Sequence, residues 1–294
     1  MSGSERDPPP QRIAPISVPD PPLLPIPDDS QPAAVRDAFR QCGFALREEI
    51  AWIQEALALE HAIVAASTGS KLRNHRYSAA LLLWSRVYTA GQELLRATTW
   101  GAYPVCPPLT RASLEWLAAE QAVVGREQRE YAAWLRDGFL ADVERAATAV
   151  GMGQYMAGQQ LAMSESLGSV YRAAAELARP HFGASTLAVA PGSNRQRIAI
   201  HWGDQSFHFG WAQLLSGWQI TIREHQLRFA IGRELFAVES KDREQYHRLA
   251  RKGEMLLNRR DRCRGSWVQK QGRQHFLIEN FRRQPGGAPK RLLL

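Results

Sequence analysis

The chain has 294 residues, 45% hydrophobic and 22% charged, an ordinary composition for a soluble globular protein that buries a core in one large or two small domains. Its net charge is +8. The longest apolar run, Ala79 to Trp84, falls far short of a ~20-residue membrane span, so no membrane insertion is expected. Cys42, Cys106 and Cys263 stand far apart with no CxxC pair, which argues against a disulfide framework and a structural zinc site. The start, MSGSERDPPP, is polar and lacks an apolar h-region, so no secretory signal is expected and a reducing cytoplasm is the expected compartment.

Residues 1–32 hold ten of the 17 prolines. Proline fixes φ and lacks an amide donor, so this stretch reads as a disordered or polyproline-II leader. From Ala33 to Ala66 apolar residues recur at helical spacing, closed by Ser67-Thr68-Gly69-Ser70. A second helix runs from Asn74 to about Trp100, a third from Pro108 to Val124 and a fourth from Gln128 to Val150. A fifth covers about Tyr155 to Ala178. The period then changes: Arg197-Ile198-Ala199-Ile200-His201-Trp202 alternates polar and apolar before Gly203-Asp204, which predicts a short β-hairpin or extended insertion across 187–209. Helix resumes from Phe209 to Val238 and again from Asp242 to Asn258. Gly265 to Arg283 is ambiguous, and Pro285-Gly286-Gly287-Ala288-Pro289 is expected to end order. The expected fold is therefore all-α, an up-and-down multi-helix bundle over 33–258 with a partly disordered basic segment over 259–294.

Charge is distributed very unevenly. Residues 239–294 hold 15 Lys and Arg against 6 Asp and Glu, so residues 1–238 are close to neutral. Arg259, Arg260, Arg262 and Arg264 cluster, and Trp267, His275, Phe276 and Phe281 alternate with Lys270, Arg273, Arg282 and Arg283. Cations that neutralise phosphates, beside aromatics that stack on bases, suit single-stranded nucleic acid. RNA or DNA is the expected partner, through Arg259, Arg260, Arg262, Arg264, Trp267, Lys270 and Arg273, and self-association is left open. The competing reading is a solvated cationic end whose aromatics dock on the bundle.

Within the helices, Arg111 and Glu115 share a face of a nearly all-apolar helix, as do Arg86 and Glu93 on the helix before it. These four are expected to form an internal charged cluster, either fixing helix register or holding a small anion. His201, Asp204 and His208, with His225 arriving from the next helix, could chelate a metal if a turn brings 201 and 208 to one face, but no EF-hand, HExxH or paired-carboxylate motif accompanies them, so they are read as polar hairpin residues and no metal site is expected. There is no GxSxG, phosphate loop or dinucleotide fingerprint, and no cofactor is implied.

Arg111-Ala-Ser-Leu-Glu115 after a proline break, followed by a helix ending Arg179-Pro-His181, resembles bacterial all-helical families of the HEPN-like kind over about the middle third of the chain. The ribonucleases among them carry an Arg, roughly four to six residues and a His that act on RNA phosphodiesters in a dimer. The resemblance implies His181, Arg195 and His201 as catalytic candidates, Arg195 to His201 having that spacing inside the stretch read as extended. The residues themselves point to a class of partner more than to a reaction.

Overall fold

In the computed structural model the described residues are 15–21, 23–68, 75–125, 139–142, 147–150, 164–180, 185, 193, 196–233 and 235–294. Seven helices appear among them: α1 (Ala33–Ala45), α2 (Arg47–Ser67), α3 (His75–Thr99), α4 (Cys106–Gly125), α5 (Glu165–Ala178), α6 (Phe209–Ile231) and α7 (Ser240–Leu257). Strands β1 (Phe139–Asp142) and β2 (Ala147–Val150) pair with each other, and β3 (Arg264–Lys270), β4 (Arg273–Phe281) and β5 (Lys290–Leu293) form a second antiparallel sheet. The protein is thus mostly helical with a small three-stranded sheet. No described helix is long and apolar enough to cross a membrane.

α6 is the central element. It touches α1 to α5, α7, β3 and β4, and it buries residues around most of its circumference, from Trp211 and Leu215 to Ile222 and Ala230, leaving Glu224, His225 and Arg228 toward the surface. A helix so enclosed is stable only inside such a shell, each enclosed large apolar side chain contributing about 1.5–3 kcal/mol. Its N-terminal half joins α1, α3, α4, α5 and the sheet in one apolar cluster. Its C-terminal half joins α2, α3 and α7 in a second.

Several helix ends are capped as their sequences allow. Ser164 Oγ accepts from the Leu167 amide at 3.3 Å at the start of α5. Glu239 and Asp242 form a reciprocal capping box at the start of α7. Other expectations change. The stretch 33–66 is two helices, because Leu46 leaves the helical region (φ −125°) while burying its side chain, so α2 takes a new direction. Where a helix was expected over 128–150, residues 139–142 pair with 147–150, strand pairing overriding an Ala-rich pattern. Residues 126–138 and 143–146 of that stretch lie outside the described residues.

Of the short β-hairpin or extended insertion expected across 187–209, the described residues, 193 and 196–209, form no hairpin; 196–208 run as a non-helical insertion up to the start of α6. The alternation is real, but Ile198, Ile200 and Trp202 face solvent, with no paired strand beside them among the described residues. The sheet lies instead in the segment expected to be a partly disordered tail. Gln271 and Gly272, both with positive φ (51° and 76°), turn β3 into β4 as a two-residue hairpin loop. The chain then passes Pro285–Pro289 and returns as β5 beside β4, with Phe276 and Leu294 exchanging both backbone hydrogen bonds.

The proline-rich leader is also placed where disorder was expected. Residues 15–21 and 23–32 run over α2 and α3. The carbonyl of Pro19 meets His61 Nε2 at 3.0 Å, and that of Pro25 accepts from Trp100 Nε1 at 3.1 Å. Ile16 and Leu24 pack on the second apolar cluster. A proline-rich chain can dock in this way because its carbonyls and side chains make the contacts, not the amides it lacks.

Candidate functional site

Alternation along β3, β4 and β5 gives the C-terminal sheet two unlike faces. Phe276 and Ile278 are buried in the first apolar cluster, with Trp267, Leu292 and Leu294 packed against it. Gly265 leaves room for this, since a Cβ there would lie 2.0 Å from the Phe276 ring. The opposite face carries Arg264, Lys270, Arg273 and Arg291, with Ser266, Val268 and Leu277 between them. Glu279, the sole carboxylate from residue 262 to the last residue, sits among these cations. It lies 2.7 Å from Arg291 and 3.7 Å from Arg264. Lys270 and Arg273 flank the hairpin turn, are exposed, and form no ion pair among the described residues.

The structure divides the other residues expected to meet nucleic acid. Arg260 is exposed. Arg259 pairs with Glu48. Arg262 is buried, donating to Glu49 Oε1 at 3.0 Å and to the Gln213 carbonyl at 2.6 Å. Trp267 is turned inward: its indole donates to the Ser169 carbonyl at 3.3 Å and Arg172 lies over its ring. Phe276 and Phe281 are buried and His275 is half-buried, its Nδ1 3.3 Å from the Leu294 carbonyl. The Trp267, Phe276 and Phe281 rings are therefore spent on docking the sheet, because they lie on its apolar side, while His275, opposite Val268, stands on the outer face.

The internal cluster expected from Arg86, Glu93, Arg111 and Glu115 is not internal. Arg111 and Glu115 pair at 3.0 Å on the surface, joined by the Tyr171 hydroxyl, which donates to Glu115 at 3.1 Å. Glu93 pairs with its own neighbour Arg96, and Arg86 lies over the Trp116 ring. Each cation finds an aromatic face or a carboxylate one turn away, which is cheaper than burial.

The buried charges are elsewhere. Arg223 of α6 donates to both oxygens of Glu60 in α2, at 3.2 and 3.1 Å, and to the Val87 carbonyl at 2.8 Å. Trp84 Nε1 donates to Glu60 at 2.8 Å. Burial pushes the Glu60 carboxyl up, and Arg223 and Trp84 pull it back. Close by, Gln226 donates to Glu120 at 3.1 Å, while Glu120 Oε2 and Gln226 Oε1 have no hydrogen-bond partner among the described residues. Burial holds the Glu120 carboxyl well above the usual carboxylate range, with only the Gln226 amide pulling it back among its hydrogen bonds. One signal for the Arg223 pair was present in the sequence: Gly91 stands inside an otherwise glycine-free helix, and a Cβ there would stand 3.0 Å from the Arg223 guanidinium.

Of the catalytic candidates, His181 and Arg195 lie outside the described residues. His201 is partly exposed, with Nδ1 3.9 Å from Asp204 Oδ2. His208 is buried at the start of α6, and His225 contacts Ser166 and Arg228. Among the described residues no group of three or more His, Cys, Asp or Glu is arranged to hold a metal ion. Comparison with protein-family models, with curated proteins and with solved structures finds no match for this chain.

Proposed function

We propose that the outer face of the C-terminal sheet is a docking surface for a polyanion, the phosphate backbone of RNA or DNA. The observation that carries this reading is the strand register, which lines up Arg264, Lys270, Arg273 and Arg291 on one solvent face around a lone carboxylate. With the Trp267, Phe276 and Phe281 rings turned inward, contact is mainly by charge and not by base stacking, so binding is weakly sequence-dependent. Glu279 offsets part of the charge of Arg264 and Arg291. Lys270 and Arg273, free of ion pairs among the described residues, carry most of the affinity.

The test is fluorescence anisotropy of a labelled 20-nucleotide RNA and a DNA duplex across a salt series. Each phosphate neutralised contributes ~0.7 to the log–log salt slope on a single strand and ~0.9 on a duplex, so two to four contacts give a shallow but measurable slope. Lys270→Gln with Arg273→Gln reduces that slope by about two contacts. Glu279→Gln strengthens binding. Affinity that ignores salt, or that survives replacement of all four cations, overturns the reading. Loss of RNA integrity abolished by His201→Ala would put the catalytic reading in its place.

A further inference from the structure

A cavity of about 260 Å³ opens beside the start of α6, between the turn at Tyr103, the end of α5, the 204–208 loop and the strand end at Arg283. It is smaller than the ~300–1,000 Å³ of pockets for drug-sized molecules. Pro107, Leu177 and Trp211 form an apolar wall, and His208, Arg283 and Asp204 supply polar groups.

The backbone at the helix end is already satisfied. Phe209 and Gly210 N–H donate to the carbonyls of Arg283 and Arg282 at 2.9 and 2.8 Å, and Trp211 N–H donates to His208 Nδ1 at 3.3 Å. The last bond decides the tautomer: an imidazole nitrogen that accepts carries no proton, so neutral His208 is protonated on Nε2. The residue is only 6% exposed, with its ring against Phe281 at 4.5 Å between centroids. Burial and the nearby Arg283 charge hold it neutral, its pKa brought down to about 4. Its Nε2–H has no partner among the described residues.

Asp204 Oδ1 accepts from the Ser206 amide at 2.8 Å and from the Ser206 hydroxyl, its Oδ2 lies 3.9 Å from His201 Nδ1, and Arg179, also in the lining, pairs with Glu176. Arg283 is exposed and forms no ion pair among the described residues. What the cavity offers a ligand is therefore a guanidinium fork, one buried neutral N–H donor and an apolar wall. A guanidinium matches a carboxylate with two parallel hydrogen bonds. The apolar wall suits an organic body and gives nothing to inorganic phosphate.

We propose that this cavity binds a small organic carboxylate, with Arg283 pairing the carboxylate, His208 Nε2–H donating to one of its oxygens, and the ligand's apolar body resting on Leu177, Pro107 and Trp211. The site shares no residue with the sheet face offered to nucleic acid, so the two readings stand or fall separately.

The probe is phenylacetate, titrated into the full chain by isothermal calorimetry and by NMR, with benzyl alcohol and inorganic phosphate as controls. Phenylacetate is expected to bind at least tenfold more tightly than either control. Arg283→Gln, which keeps the backbone carbonyl that Phe209 uses, is expected to weaken phenylacetate at least tenfold, and Arg283→Lys to restore part of the loss. His208→Gln tests the second donor if it folds; the Arg283 pair suffices if it does not. Absence of phenylacetate binding, equal binding of benzyl alcohol or phosphate, or indifference to Arg283→Gln each overturns the proposal.

Discussion

Arg262 occupies a space beside α6 that exists because residue 217 is glycine: a Cβ on Gly217 would stand 2.9 Å from Arg262 Nη2. The guanidinium enters that space, 2% exposed, and pairs with Glu49, a carboxylate 213 positions earlier in the chain. One residue of the basic segment is thus a clamp joining α2, α6 and the approach to β3, not a ligand for phosphate. Arg262→Ala leaves the buried Glu49 with only the longer 4.0 Å pair to Arg259 and is expected to cost about 3 kcal/mol. Gly217→Val should destabilise by a similar route, by expelling the guanidinium. Urea unfolding measures both; a loss below ~1 kcal/mol in Arg262→Ala, the usual worth of a surface pair, would show that the pair is not buried in solution.

The Glu60–Arg223 pair obeys the same logic with a second consequence. Removing one partner strands a charge in the core, whereas replacing both with apolar groups removes the desolvation cost along with the attraction. Arg223→Met is expected to cost about 3–5 kcal/mol, and the double change Arg223→Met with Glu60→Leu to recover most of it. A thermal-unfolding cycle with additive losses would contradict this.

The pH dependence follows from two buried groups of opposite sense. Glu120 has a folded pKa raised by burial, so above the unfolded value near 4.5 the folded chain holds a proton that the unfolded chain has released. Its contribution to stability is therefore lost as pH rises, by up to about 1.4 kcal/mol per pH unit. His208 has a folded pKa lowered to about 4, against 6.5 unfolded, so the unfolded chain takes up a proton first and stability is lost as pH falls through that window. Stability should decline as pH rises above about 4.5 toward the raised folded pKa of Glu120, against a His208 gain that is complete near pH 6.5, and Glu120→Gln should flatten that decline. An identical slope in the variant would remove Glu120 as its source.

The leader is expected to stabilise the helices it crosses. Deleting residues 1–31 uncovers the apolar faces of α2 and α3 that Ile16 and Leu24 meet and frees the Trp100 indole. Partial burial of two side chains plus one hydrogen bond predicts a loss of about 1–3 kcal/mol. Leu24→Ser in the full chain should reproduce part of it. Unchanged melting temperature in the deletion would show that the leader does not dock.

Helices α3, α4 and α7 were legible to within a few residues, because their apolar stripes and breakers are local. The sheet was not. β4 carries the alternation of a half-buried strand, but Arg273, His275 and Glu279 on its outer face, between other charged residues, made it read as a charged tail, and its two-residue turn uses Gln271 where Asn or Asp is the usual signal. The candidate site was half legible: the concentration of cations is a property of composition, and Lys270 and Arg273 are where it led. Which cations face solvent was invisible, since Arg262 and Arg264 differ only in what lies opposite them.

Helix periods, proline breaks and the placing of charge are set by residues a few positions apart, and for these the chain's own order of amino acids is enough. The partners of its buried charges are a different matter. Glu49 with Arg262 and Glu60 with Arg223 are separated by 213 and 163 positions, and each pair is created by packing that brings a carboxylate, a guanidinium and a helical glycine to one point. Only the tertiary structure decides that, because a charge gains from burial only when its counter-charge arrives with it.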